Sequence, residues 1–250
     1  MTSIALLFGI NYIGFGEESG ELKGCVNDVR NMANFLTHKA RFDVVEQYTD
    51  EDDPTSVTGR AIIDKLEKLT KMSQEGNVDR VWIHYSGHGG GIRDRNGDER
   101  DGRDECILPV DYRTEGVITD DMLSAIIRQF HERTIVTMVF DCCHSGTIAD
   151  LAYTYSGSKI SVNNFAARCR ADVCVISGCM DDQTAADAFN VRGRGVFSGA
   201  MSSCLLEAMA SENNILKCIV LLRQKLASKK YTQHAVISSS RQIDSERALY

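Results

Sequence analysis

Proline is almost missing from this sequence: Pro54 and Pro109 are the two it has in 250 residues. A long proline-rich linker is thereby excluded. There is no Cys-x-x-Cys pair, the usual framework of a structural zinc site. The nine cysteines are odd in number, and Cys142 adjoins Cys143, which suits a disulfide scaffold poorly. The apolar run at 4–10 is too short to span a bilayer, and no basic leader precedes it. No membrane partner is expected, and the setting expected is reduced and intracellular, in the first instance cytoplasmic. Basic residues are in deficit, with 28 Lys and Arg against 35 Asp and Glu and a formal charge of −7. That balance disfavours a nucleic-acid partner and favours a basic substrate.

What remains is ordinary for a globular protein: 43% hydrophobic and 25% charged residues, in a length that suits one α/β domain. Strand-like runs at 4–10, 42–48, 80–85, 135–140, 173–176 and 235–238 alternate with helix-like stretches. Cys25–His38 places Val26, Val29, Met32, Ala33 and Leu36 on one face. Asp53 and Pro54 read as an N-cap and first helical residue. The helix they open turns Ile62, Ile63, Leu66, Leu69 and Met72 inward. Two late helices are predicted over 197–210 and 214–230. The alternation predicts a mostly parallel central sheet with helices on both faces. Two stretches fall outside the pattern: a glycine- and charge-rich loop at 89–105, and a polar surface connection at 151–170.

Two segments carry the chemistry. Residues 81–90 end a strand and enter a loop at His88, and residues 139–146 do the same at Cys143. In an open parallel sheet both would sit beyond the carboxyl ends of strands, where ligands bind. A thiolate nucleophile needs an imidazole nearby to take and return its proton. Neighbouring glycines let the backbone approach a substrate and aim amides at an oxyanion. Singly, Cys143 could be a buried apolar cysteine and His88 an ordinary loop histidine. Jointly, each at a strand end beside glycine, they point to a catalytic pair.

These segments also carry a resemblance. Tyr85-Ser-Gly-His-Gly and Asp141-Cys-Cys-His-Ser-Gly resemble the two signature motifs of metacaspases, the caspase-like cysteine peptidases found outside animals. Gly24-Cys-Val-Asn-Asp resembles the family's first helix start, and 98–105 its acidic loop. Ser177-Gly-Cys-Met-Asp-Asp-Gln-Thr-Ala-Ala-Asp and Ile237-Ser-Ser-Ser-Arg resemble its later motifs, so the likeness covers nearly the whole chain. It implies a caspase-like three-layer α/β/α sandwich forming one peptidase domain. Residues 1–150 would be a large-subunit-like part, 151–170 a connection and 171–250 a small-subunit-like part. The order is similar to the type I subgroup. Type I members often carry an N-terminal pro-region; this sequence begins almost at its first strand, a departure that puts control by a removable pro-segment in doubt. The resemblance makes Cys143 the nucleophile. Cys142 fills a position where the family also accepts serine. The backbone amides of Gly89 and Cys143 would form the oxyanion hole.

Asp28, after the first strand, and Asp141, two residues before Cys143, both belong to the presumed catalytic edge. A carboxylate pair at the base of a pocket favours a cationic side chain. Each has a plainer role open to it: Asp28 near a helix N-terminus, Asp141 capping a turn. The resemblance implies cleavage after Arg or Lys, with Ser86 adding a hydrogen bond and Met180 and Asp182 lining the cleft. It also implies calcium activation through Asp104, Asp120, Asp121 and Asp150. Residues 94–105, with six acidic and three basic side chains, do not make an EF-hand, because Glu99 stands where that loop needs glycine. Without the resemblance, these residues read as a solvated loop and, at Thr119-Asp120-Asp121, as a helix cap. Self-cleavage would fall at Lys159, Arg168 or Arg170. A monomer acting on proteins or peptides is implied. The competing readings are an idle calcium- or protein-binding scaffold, against which both catalytic residues argue, and a non-proteolytic thiol enzyme, against which the acidic pocket argues.

Overall fold

A computed structural model describes residues 2–16, 20–93, 103–142, 148–156, 159–163, 169–178, 187–189, 197–231 and 233–250, with the backbone alone at 103, 187–189 and 197–198. Ser3–Gly9 forms β1, buried at every position, as the continuous apolar run requires of a central strand. Cys25–His38 is α1, and Val44–Thr49 is β2, largely exposed. Asp53 does act as a cap, accepting from the Thr55 amide, but the helix it starts is a short 3-10 turn, Pro54–Val57. The long helix α2, Gly59–Gln74, has its own cap in Thr58, which accepts from the Ala61 amide. Two start signals thus stand in tandem where the sequence suggests one. Ile62, Leu66 and Leu69 are buried as expected, while Ile63 and Met72 pack at the edge of the core.

The chain continues through β3 (Arg80–Ser86), β4 (Gly89–Arg93), β5 (Arg103–Ile107), α3 (Tyr112–Glu115), β6 (Ile118–Thr119), α4 (Asp120–Ile127) and β7 (Ile135–Asp141). Then come β8 (Tyr153–Ser156), β9 (Lys159–Val162), β10 (Asp172–Ser177), β11 (Asp187–Phe189), β12 (Phe197–Gly199), α5 (Ala200–Met209), α6 (Ile215–Ser228) and β13 (Val236–Ser239). Among the described residues the main sheet has the order β2-β1-β3-β7-β10-β13-β8-β9. Its first five strands are parallel and β13, β8 and β9 join antiparallel.

Alternation along the central strands sorts side chains to two faces. Ile4, Leu6 and Phe8 join α2 and α4 in one apolar layer; Ala5 and Leu7 join α1, α5 and α6 in the other. This is the three-layer α/β/α sandwich, each fully buried Leu, Ile or Phe contributing roughly 1.5–3 kcal/mol.

Two polar stretches hold more structure than their composition suggests. The glycine-rich loop contains β4 and β5, and the connection at 151–170 contains the β8–β9 hairpin that extends the sheet. Tyr153-Thr-Tyr-Ser is rich in strand formers, and Tyr155 packs on the core while its hydroxyl accepts from the Ile243 amide. The hairpin's polarity reflects its place at the end of the sheet, where the exposed β9 is the outermost strand. Lys159 lies on the exposed β9, and Arg170 is exposed ahead of β10.

Candidate active site

Parallel pairing brings three strand ends together. Gly9 sits beside Ser86, and Ser86 beside Asp141. Asp28, in the first turn of α1 above β1, reaches the same place: the Ser86 hydroxyl donates to its Oδ2 at 2.8 Å. Asp28, Ser86 and Asp141 are all buried. Asp28, Ser86 and Asp141 are thus brought together at one end of the sheet.

A part of the chain far from them in sequence closes over this cluster. The N-cap position of α5 is Gly199, which has no side chain to cap the helix. Asp141 Oδ2 substitutes for it by accepting from the Ser202 amide at 2.8 Å, and Asp28 accepts from the Gly199 amide. Amides at a helix start need acceptors, and the partial positive charge there favours carboxylates. A methyl group added at Gly199 would meet Asp28 Oδ2 at 2.8 Å and overlap the Asp141 carboxylate, so only glycine allows the approach. From β3, His84 Nε2 lies 3.2 Å from the Ser202 hydroxyl. Burial pushes the His84 imidazole down to about 3, so it is neutral, and its Nδ1 has no hydrogen-bond partner among the described residues. Gly199, Ser202 and His84 carry no motif in the sequence. A glycine directly before an apolar helix was the one available signal.

His88 follows β3 and is half-buried. Its Nε2 lies 2.6 Å from the Gly20 carbonyl. A carbonyl only accepts, so Nε2 carries the proton and Nδ1 is left as the basic nitrogen. Gly20 has φ +97°, which glycine tolerates, and any side chain there would press on the imidazole. Gly89 opens β4 directly after His88, paired with Ile107.

Cys143, Met180 and Asp182 lie outside the described residues, as does Arg168. The chain reaches position 143 from β7, whose last residue lies beside the glycine before His88: the Gly87 amide is 3.5 Å from the Asp141 carbonyl. Cys142 is fully buried in the apolar layer beneath α2 and α4. Its thiol is enclosed among apolar side chains.

Asp104 on β5 and Asp120 at the start of α4 are buried; Asp121 and Asp150 are half-buried, and Asp150 adopts φ +46°. Asp120 accepts from the Glu105 amide at 2.6 Å and the Asp121 amide at 2.8 Å. Burial pushes its carboxyl up to about 7, and the nearby charges of Asp150 and Asp104 push the same way. The donor chemistry, hard oxygens in a shared negative field, suits calcium. Among the described residues, no three acidic, histidine or cysteine side chains are gathered closely enough to hold a metal ion. These aspartates are neighbours and not a finished cage.

A mostly parallel sheet whose strand ends gather an imidazole and a carboxylate pair defines an enzyme-like site on the caspase-like α/β sandwich. A crystal structure of a Geobacter sulfurreducens protein shares this fold, with a TM-score of 0.71 and 22% identity, over 99% of this chain and 98% of that one. Residues 4–152 match the family described as metacaspase, peptidase C14 domain. The chain is 34% identical over 297 residues to Metacaspase-1 of Saccharomyces cerevisiae, covering 96% of this chain and 67% of that protein. Against Metacaspase-1B of Aspergillus terreus the identity is 35%, covering 96% and 75%. The chain belongs to the metacaspase family of cysteine peptidases. Among the described residues no helix is long and apolar enough to cross a membrane.

Proposed function

We propose that this protein is a calcium-dependent cysteine endopeptidase that cleaves peptide bonds after Arg or Lys. The observation that carries the reading is the convergence of Asp28, Ser86 and Asp141 at the sheet edge that also presents His88. In this reading the domain comprises a large-subunit-like part, 1–150, and a small-subunit-like part, 171–250, joined through 151–170. It acts as a monomer on protein or peptide substrates.

The Cys143 thiol gives its proton to Nδ1 of His88, and the thiolate attacks the scissile carbonyl carbon. The amides of Gly89 and Cys143 receive the oxyanion. As the tetrahedral intermediate collapses, the C–N bond breaks, the imidazolium returns its proton to the leaving amine, and a thioester to Cys143 remains. Water, deprotonated by His88, then releases the acid and restores the thiol. The Gly20 carbonyl supports this cycle by holding Nε2–H and steadying the imidazolium. The buried carboxylates of Asp28 and Asp141 select a cationic side chain before the cleaved bond, with Met180 and Asp182 lining the cleft. Calcium, bound by Asp104, Asp120, Asp121 and Asp150, would supply positive charge that offsets their mutual repulsion.

The test is hydrolysis of fluorogenic peptides ending in Arg, Lys or Asp, with and without calcium, by wild type and Cys143→Ala. Calcium-stimulated cleavage of the Arg and Lys peptides by wild type alone is the expected result. Preference for Asp would overturn the pocket, and activity in Cys143→Ala would overturn the nucleophile.

A further inference from the structure

Tyr12 stands just past β1 with φ +57°, a left-handed conformation that a bulky side chain rarely adopts. Its side chain is fully buried, and what it reaches is the backbone of His88. The Tyr12 hydroxyl accepts from the His88 amide at 2.9 Å and donates to the Leu108 carbonyl at 2.6 Å. The Tyr85 hydroxyl lies 3.1 Å from that of Tyr12, 2.8 Å from the His88 carbonyl and 2.9 Å from the Leu108 carbonyl. Each phenol has one proton, so Tyr12 serves Leu108 while Tyr85 shares its proton between His88 and Leu108. The Leu108 amide also donates to the His88 carbonyl at 3.1 Å.

Both polar groups of the His88 backbone are thus held from below by phenols. The Tyr12 ring also packs against the imidazole, with centroids 4.6 Å apart. Gly87 is shaped by the same pair: a Cβ there would lie 2.6 Å from the Tyr85 oxygen and 3.1 Å from that of Tyr12. Burial pushes both phenols well above their usual range, so they stay protonated and their hydrogen-bond roles stay fixed. A strained residue whose hydroxyl and ring both end on one histidine is over-determined for that contact.

We infer that Tyr12, assisted by Tyr85, is a positioning residue that sets the His88 imidazole in register with the reacting thiol. This rests on the reading of His88 as the acid–base group. Proton transfer is steep in distance and angle, so a small drift of the imidazole slows chemistry without altering how a substrate binds in the pocket.

The test removes hydroxyls and keeps rings. Tyr12→Phe, Tyr85→Phe and the double variant are assayed on an Arg-ended peptide in calcium. Each rate is normalised to active sites titrated with an irreversible thiol-directed peptidyl inhibitor, so that unfolded molecules do not count. Tyr12→Phe is expected to lower kcat per titrated site by roughly 10- to 100-fold with KM unchanged. The double variant is expected to lose less than the product of the single losses, because both hydroxyls bond the Leu108 carbonyl. Wild-type kcat per site in both Tyr12→Phe and the double variant would overturn the proposal. So would a loss confined to KM or to the number of titratable sites. His88→Ala runs beside them: if it stays active, the role given to His88 fails, whereas an inactive His88→Ala with fully active tyrosine variants defeats the positioning role alone.

Discussion

The Gly199 amide donates to both carboxylate oxygens of Asp28, each at 3.0 Å, across 171 positions of sequence. The first turn of α1 is thereby fastened to the start of α5. Asp141 does the same from β7 through Ser202. The carboxylates proposed to select substrate are also the acceptors that hold α5, so specificity and local stability share atoms.

That sharing separates two substitutions at Asp141. Asp141→Ala removes both charge and acceptor, and should lower stability by about 1 kcal/mol, as loss of a helix cap does. Asp141→Asn keeps an oxygen for the Ser202 amide and should unfold within about 0.5 kcal/mol of wild type. Both should reduce kcat/KM on Arg peptides by roughly 30-fold or more, the scale of losing a buried charge partner. Urea titrations beside peptide assays check the split; equal stability of the two variants would contradict the cap.

His84 makes a prediction in pH. Its folded pKa is depressed to about 3, against 6.5 for the exposed group. Below about 6.5 the unfolded chain binds a proton that the folded protein refuses. Stability from this group is therefore complete above 6.5 and is lost as pH falls toward 3, at about 1.4 kcal/mol per pH unit. His84→Gln should show a shallower decline between pH 7 and 5 than wild type. Parallel curves would contradict a neutral, buried imidazole.

Calcium can be tested without turnover. In Cys143→Ala, calorimetric titration with calcium alone should show binding, and Asp120→Ala in that background should weaken it at least roughly 10-fold, since ligand charge sets affinity. In the active protein a chelator should suppress hydrolysis. Full activity in chelator would contradict the dependence.

The adjacent cysteines should behave differently. Cys142 is buried among apolar side chains, so Cys142→Ala should keep the catalytic rate and lose about 1 kcal/mol of stability to the small cavity. Peptide kinetics and thermal melts check this; loss of turnover in a folded Cys142→Ala protein would contradict the assignment of roles.

The central strands were legible in the sequence because residues buried on both faces leave mainly apolar runs, as in β1, β3, β7 and β10, interrupted only by single polar residues such as His84 and Thr137. The strands at the margins were not. β4 is glycine-rich, and β8 and β9 each show a face to water, so composition reads them as loop. Strand order placed Asp28, Asp141 and His88 on one edge, and the family resemblance, not the spacing, joined them into a site. Tyr12, Gly20, Gly199 and Ser202 were not legible, because their roles exist in contacts made 61 to 171 positions away. Asp53 caps only the short 3-10 turn, and Thr58, five residues on, caps the long helix.

The most direct measurement of the central claim is the initial rate of cleavage of matched Arg- and Asp-ended peptides in calcium, by wild type, Cys143→Ala and His88→Ala. The account predicts rapid cleavage of the Arg peptide by wild type, with the Asp peptide and both variants at background. Cleavage of the Asp peptide in preference, or a Cys143→Ala protein that still hydrolyses the Arg peptide, would contradict it.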